Sequence, residues 1–282
     1  MTTGTPRLGS DNYADAVLAA PRPRIVYPSV GRMVDMDKQT VRETVWDALE
    51  DRGEARFPFP PHGRIPNFAG VSEACSRLTT TTAWTSATTV KANPDAPQLP
   101  VRRAALRAGK TVYMAQPRLR DPDPFLRLDP DEVTDIDEAT TVSGVSEHGV
   151  PVAPEAVPHV DLVVSGSVAV TTRGSRIGKG EGYSDLEWAV LRELDAVDDE
   201  TTVATTVHEC QVVDGPDSPI DDPDSLPEPD RHDVRMDLIV TPDRVVRPGG
   251  SAERPTGVDW DLLDEETLSE IPVLAERAPD RL

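Results

Sequence analysis

Lysine is nearly missing from this chain. Lys38, Lys91, Lys110 and Lys179 are the only ones among 29 basic residues, against 50 acidic residues, and the formal net charge is -21. A field of that sign opposes nucleic acid and anionic membranes, so no nucleic-acid or membrane partner is expected. Cysteine is limited to Cys75 and Cys210, far apart and without a pairing pattern. They read as buried thiols, because a disulfide framework or a cysteine metal site needs more ligands. His62, His148, His159, His208 and His232 do not fall at metal-ligand spacings, which argues against structural zinc. No apolar run is long enough to span a membrane, and Met1 to Tyr13 lacks the basic-then-apolar order of a secretory leader, so the cytoplasm is the expected location. Nucleophile elbows of the Gly-x-Ser-x-Gly type are absent too.

Arginine, aspartate, threonine and valine are plentiful instead, a composition that looks like the proteome style of a salt-loving archaeon. On that reading the acidic charge is an adaptation to concentrated salt and carries little functional information. A length of 282 residues suits one large α/β domain or two small ones. The chain divides into a disordered N-terminus over 1–20, an α/β domain over 21–247 and an acidic tail over 248–282. The tail holds an amphipathic helix from about Trp260 to Leu274 that packs back on the body.

Helical spacing is expected from Lys38 to about Arg52, with Val41, Val45, Ala48 and Leu49 on one face and Lys38 and Arg42 together on another. The cationic pair is either a solvated edge or a ligand contact. The proline-rich run Phe57 to Phe68 holds three of four phenylalanines and excludes regular structure. It is a wall against a flat ligand or a loop stapled to the body. Asn67 is positioned to cap a helix through about Leu78. Strands are expected at Thr88–Lys91, Thr111–Ala115, Val160–Val170, Thr202–Val207 and, last, Leu238–Thr241, with a helix from Gln98 to Ala108 and another from Asp185 to Leu194. Asp121–Pro158 reads as a polar, acidic stretch. Alternating strands and helices argue for a parallel sheet with helices on both faces, and ligands bind such sheets where loops leave the carboxyl ends of strands.

One loop sits in such a position: Arg173 to Asp185, between the apolar run and a helix. Gly178, Gly180 and Gly182 let the backbone approach an anion, Arg176 and Lys179 supply cationic donors, and the next helix offers unpaired N–H groups. Closely spaced glycines also mark plain tight turns. The loop matches neither Gly-x-Gly-x-x-Gly nor Gly-x-x-x-x-Gly-Lys-Ser/Thr, so both readings stand on the loop alone. Asp185 is a metal ligand, a helix cap, or both.

The whole arrangement resembles the 5-formyltetrahydrofolate cyclo-ligase (methenyltetrahydrofolate synthetase) family. That family carries Lys-x-x-x-Arg on its first helix, here Lys38 and Arg42. Its late Arg-Leu-Gly-x-Gly-x-Gly-Tyr-Tyr-Asp loop appears as Arg176 to Asp185, and its Asp-x-x-x-Asp segment as Asp233 and Asp237. The match runs over roughly residues 35 to 245. Two departures, Ser184 in place of the second Tyr and a replaced acid-x-x-Thr stretch around Asn93–Gln98, make the chain look more like the divergent methenyltetrahydrofolate synthetase domain-containing branch.

The resemblance implies a three-layer Rossmann-like α/β fold and an ATP-dependent ligase. In that reaction ATP phosphorylates the formyl oxygen of 5-formyltetrahydrofolate, or of an analogous archaeal pterin, and ring closure expels phosphate to give the 5,10-methenyl product. By the same resemblance Lys38, Arg42, Arg176 and Lys179 hold phosphates, with Arg176 and Lys179 also catalytic, and Gly178, Gly180 and Gly182 allow their approach. Asp185 and Asp233 place Mg²⁺, and Tyr183 and Phe68 line the side of a small-molecule substrate, a reduced formyl-folate or pterin. The protein is expected to act as a monomer or homodimer. A non-catalytic nucleotide or pterin sensor is the competing expectation, motivated by the altered folate-side residues.

Dilution from molar salt into dilute buffer is expected to unfold the protein. Far-UV circular dichroism follows this directly, and a spectrum unchanged in dilute buffer would contradict the halophilic reading.

Overall fold

The computed structural model describes residues 36–249, 253–263 and 265–279. The expected disordered N-terminus over 1–20 lies outside the described residues. Helix α1 (Lys38–Asp51) starts at Asp37, whose side chain accepts from the Thr40 N–H at 2.7 Å. Its buried residues are Val41, Val45, Trp46 and Leu49, an i, i+4 stripe that leaves Lys38 and Arg42 on a different face. A small hairpin, β1 (Ala55–Arg56) with β2 (Asn67–Phe68), follows. Asn67 is therefore a strand residue and not a helix cap. Its Nδ2 donates to the Phe57 carbonyl at 2.8 Å, and α2 (Val71–Leu78) begins only after Gly70.

The chain then runs through α3 (Thr82–Ser86), β3 (Thr89–Ala92), α4 (Leu99–Arg107) and β4 (Thr111–Ala115). The stretch expected to be merely polar contains β5 (Phe125–Leu128), α5 (Ile136–Ala139), α6 (Val142–His148) and β6 (Val150–Val152). Phe125 and Leu128 are fully buried, so short apolar islands between acidic turns build this edge of the sheet. Next come β7 (Leu162–Val164), β8 (Ala169–Val170), β9 (Arg176–Ile177), α7 (Tyr183–Glu193), β10 (Thr202–Thr206), β11 (Leu238–Val240) and β12 (Val245–Val246). The sequence's last strand is thus followed by another, antiparallel to it.

Eight strands form the main sheet in the order β12-β11-β10-β7-β3-β4-β5-β6. The five central strands are parallel, and antiparallel strands extend both edges. The sheet is mixed where a parallel one was expected, because β5, β6 and β12 each return antiparallel to the strand they pair with, β12 through a short turn after β11 and β6 after the helices α5 and α6. Alternation along the strands assigns the two faces. Val112, Met114, Leu162 and Val164 pack with Leu78, Val101 and Leu106, whereas Tyr113, Ala115 and Val163 pack with Trp188, Val190 and Leu191 of α7. Both faces are covered, giving the expected three-layer α/β fold. Helix α1 builds a third cluster against Ile65, Phe68, Val168 and Cys210.

The apolar run Val160–Val170 does not make one strand. Its chain leaves the sheet after β7, and β8 pairs with β9 in a separate two-stranded sheet. Polar residues at the break explain it: Ser167 Oγ bonds Thr205 Oγ1 at 2.8 Å, and the Gly166 N–H donates to Asn93 Oδ1 at 3.2 Å. The expected tail helix is also broken, into a 3-10 turn at Trp260–Leu262, α8 (Glu265–Glu270) and α9 (Pro272–Ala275). Pro272 cannot continue a preceding helix, so it opens a new one. Ile271, Val273 and Leu274 join the cluster under α7.

Leu274 is fully buried there. Leu274→Ala is expected to destabilise the fold by about 2–5 kcal/mol, the range for emptying a buried leucine site. Denaturant unfolding in high salt measures it, and a loss under about 0.5 kcal/mol, the scale of a surface substitution, would show that the tail does not pack as described.

Candidate functional site

Strand order places the site. β4, β5 and β6 lie to one side of β3, whereas β7, β10 and β11 lie to the other, so the direction of winding reverses between β3 and β7. Loops leaving the carboxyl ends of parallel strands diverge at such a point and open a crevice. A cleft of about 340 Å³ lies there, lined by Asn93, Asp95, Gln116 and Gly166 from the ends of β3, β4 and β7. Its opposite wall is the glycine loop, through Arg176, Gly178, Lys179, Gly182, Tyr183, Ser184 and Asp185.

The loop joins β9 to α7 and is bent by Gly180 at φ 107° and Gly182 at φ 75°, values that side-chain-bearing residues rarely adopt. Space matters as much as backbone conformation. A Cβ at Gly178 would come within 2.9 Å of Arg176 Nη1, and one at Gly180 within 3.3 Å of Arg42 Cζ. Arg42 reaches across from α1 and donates from Nε to the Gly178 carbonyl at 2.7 Å. One turn earlier on the same face, Lys38 Nζ meets Asp233 at 2.6 Å and Asp230 at 2.8 Å. Burial pulls the Lys38 ammonium down, but the two carboxylates outweigh it and hold its pKa above the usual lysine value. At Arg42 burial wins and the guanidinium pKa falls.

Arg176 is the centre of the cluster, with 5% of its surface exposed. Its Nη1 donates to the Gly166 carbonyl at 3.1 Å, and its Nη2 to Asp185. Burial opposes this charge, yet Asp185 more than compensates and raises the pKa further. The second Asp185 oxygen accepts the Val234 N–H at 3.0 Å. Asp185 therefore does not cap α7; Gly182 occupies the cap position and offers no side chain. Lys179 pairs with Glu181 at 2.8 Å.

The structure thus brings together Lys38, Arg42, Arg176, Gly178, Lys179, Gly180, Gly182, Tyr183, Asp185 and Asp233. It does not bring Phe68, which is 1% exposed inside the α1 cluster. The other two phenylalanines of that loop, Phe57 and Phe59, are exposed.

Sequence reasoning missed the floor of the cleft. Lys91, at the end of β3, forms a buried ion pair with Glu187 of α7. Asn93 Nδ2 donates to the same Glu187 oxygen at 3.3 Å, while its Oδ1 accepts from Gly166 N and from Ser184 Oγ at 3.4 Å. Arg102, buried on α4, ties down the turn by donating to the Asn93 and Asp95 carbonyls at 2.6 and 3.0 Å. Burial lowers its pKa to about 10 and raises that of the Asp95 carboxyl. Lysine scarcity could have flagged Lys91: it flagged Lys179, which lines the cleft, and Lys91 is buried against Glu187, another residue of the lining.

These residues fit an anionic ligand. Arg176 Nε is buried with no hydrogen-bond partner, a costly state for a guanidinium N–H that an anionic oxygen would relieve. The space a Cβ would fill at Gly178 and Gly180 is bounded by guanidinium groups, as a polyphosphate cradle requires. The carboxylates of Asp185 and Asp233 are hard oxygen donors of the kind Mg²⁺ takes. Among the described residues Asp233 also belongs to a group with Asp230 and His232 whose ligand atoms lie within 4.8 Å of one another; Asp185 is not part of it.

Comparison with known proteins supplies the family. The family model described as the 5-formyltetrahydrofolate cyclo-ligase family matches residues 34–242. Methenyltetrahydrofolate synthase domain-containing protein of Mus musculus is 43% identical over 242 residues, covering 85% of this chain and 62% of that protein. The Homo sapiens protein of the same name is 39% identical over 246 residues, covering 86% and 62%. The chain therefore spans less than two thirds of the length of these relatives. A solved structure of Aquifex aeolicus 5,10-methenyltetrahydrofolate synthetase aligns with a TM-score of 0.46 at 19% identity, covering 78% of this chain and 97% of that one. With the family model matched from before α1 to beyond β11, the chain belongs to the 5-formyltetrahydrofolate cyclo-ligase family.

Proposed function

We propose that the protein is a Mg-ATP-dependent cyclo-ligase that converts 5-formyltetrahydrofolate, or an analogous archaeal formyl-pterin, to the 5,10-methenyl form. One observation carries the reading: Arg176 and Lys179 of the glycine loop line a cleft at the switch point of the sheet, and Arg42 of α1 holds that loop through the Gly178 carbonyl. In this reaction the formyl oxygen takes the γ-phosphoryl group, and attack by the second folate nitrogen then expels phosphate. Charge builds on phosphate oxygens throughout, so the chain's task is to hold cations where that charge appears and to keep the formyl oxygen in line.

Arg176, Lys179, Arg42 and Lys38 neutralise the phosphates, and Gly178 to Gly182 let the backbone approach them. Asp185 and Asp233 hold Mg²⁺, which shields the transferring group when bound. Three of the four cations are paired with carboxylates: Arg176 with Asp185, Lys38 with Asp233, and Lys179 with Glu181. Arg176, Lys38 and Lys179 would turn from these carboxylates to phosphate oxygens, and Asp185 and Asp233 would then be free to hold Mg²⁺. On the second-substrate side, Tyr183 lines the cleft beside Asn93 and Asp95.

The competing reading, a nucleotide or pterin sensor without turnover, is favoured by Asn93. It stands in the stretch where the resemblance leads one to expect an acid, and its side chain is spent on Glu187, Gly166 and Ser184.

Protein, Mg-ATP and 5-formyltetrahydrofolate mixed in high salt are expected to yield the absorbance of the methenyl product. Arg176→Ala should lower the rate by about 10²- to 10³-fold, the scale for removing one aimed charge-stabilising donor. Arg42→Ala, at a half-buried position, should slow it in the same direction with the fold intact. Saturable ATP binding with no product, and no ADP formed from ATP in the presence of any reduced formyl-pterin, would establish the sensor instead.

A further inference from the structure

The turn that carries Asp233 has a second support. Asp230 and Asp233 both meet Lys38 of α1. Arg231, between them, reaches a different partner and forks onto Asp259, with Nε 2.6 Å from Oδ2 and Nη2 donating to Oδ1 at 2.8 Å. Two parallel bonds of this kind fix direction as well as distance. Asp259 belongs to the C-terminal segment, which follows the region matched by the family model; that region ends at residue 242.

The same segment grips the stretch again further on. Arg254 donates to the Arg235 carbonyl at 3.3 Å, pairs with Asp237 and lies over the Trp188 ring at 5.3 Å. Asp237 also accepts the Val203 N–H at 2.7 Å, so its carboxylate is spent on anchoring the entry to β11. The segment is itself held on both sides of Asp259. Before it, Trp188 Nε1 donates to the Pro255 carbonyl at 3.0 Å and the Val258 N–H donates to Glu193 at 2.9 Å. After it, Ile271, Val273 and Leu274 are buried in the main core. Between these anchors the segment walls a cavity across Gly182 and Tyr183 from the cleft, through Val258, Leu262 and Ile271.

The proposed reaction makes this support matter. Val234 and Met236 are buried in the main core, so Asp230 to Asp233 is the part of the stretch left to polar ties. On the site side those ties are Lys38, bonded to Asp233, and Asp185, which accepts the Val234 N–H. Ligands draw on both of them, Lys38 for phosphate and Asp185 for metal, when Asp233 has to stand still. The Arg231–Asp259 fork is drawn on by neither. We infer that the C-terminal segment is a splint for this turn, and that Arg231 and Asp259 are positioning residues for the metal ion held at Asp233. A turn released from Asp259 samples other arrangements, and metal affinity falls with the fraction of molecules that keep the competent one. This inference rests on the metal-dependent reading above.

Mn²⁺ takes the same oxygen ligands as Mg²⁺, and its binding is read from the loss of the free ion's electron paramagnetic resonance signal. Titrations are run in high salt with ATP present. The Arg231 side chain is 68% exposed, so Arg231→Gln and Asp259→Asn are surface changes that leave the fold intact. Each should weaken Mn²⁺ about three- to fivefold, the scale of a well-formed exposed ion pair. Thermal unfolding of the metal-free variants, in which Lys38 still holds the turn, should match wild type. The reversed pair, Arg231→Asp with Asp259→Arg, should recover most of the lost affinity. Unaltered Mn²⁺ affinity in both single variants overturns the splint, as does a loss that the reversed pair does not reduce or one that accompanies an equal loss of metal-free stability. Failure of wild type to bind Mn²⁺, or an Asp233→Asn variant that binds it as wild type does, overturns the metal reading itself and the splint with it.

Discussion

The guanidinium of Arg176 is the group on which the site depends. Removing such a charge from water costs several kcal/mol unless it is paired and hydrogen-bonded. Here the cost is met by Asp185 from α7 and by the Gly166 carbonyl from the break between β7 and β8. Those bonds fix three separate pieces of chain to one another: the loop that carries Gly178 to Gly182, the first turn of α7, and the exit of a central strand. The unpartnered Nε leaves the cluster one bond short. An anionic oxygen would complete it, so the interaction that shapes the loop also suits it to the proposed ligand.

A second buried pair works one layer deeper. Lys91 and Glu187 join the central strand β3 to α7 beneath the cleft, and Asn93 shares the Glu187 oxygen while holding Gly166 and Ser184. The loop is thus tied to the sheet by polar bonds on its inner side and by Arg42 on its outer side. Low dielectric strengthens each of these bonds and makes each broken one expensive, which favours a single loop geometry.

The C-terminal segment changes what the loop can face. Without it, Leu186 and Ala189 would be an open helix surface; with it, they become one wall of a cavity that shares Gly182 and Tyr183 with the cleft. A loop of three glycines is thin enough to serve as a partition between two chambers, which a bulkier sequence could not do.

Much of this was legible from residue order. The 3.6-residue stripe on α1, the β-branched runs at β3, β4, β10 and β11, and the cation-bearing glycine loop before α7 each depend on neighbours in sequence, and each is present. Lys38 and Arg42 share a face because helix geometry alone requires it. Tertiary structure decided what depends on distant partners. The run Val160–Val170 breaks because Ser167 and Gly166 bond to Thr205 and Asn93, and Phe125–Leu128 becomes a strand because β4 is beside it. Phe68 goes to the core and away from the cleft because α1 covers it. Lys91, Asn93 and Glu187 form one polar floor although they are up to 96 residues apart. Local periodicity fixes which way a side chain leaves its own element; only packing of one element on another fixes what it meets.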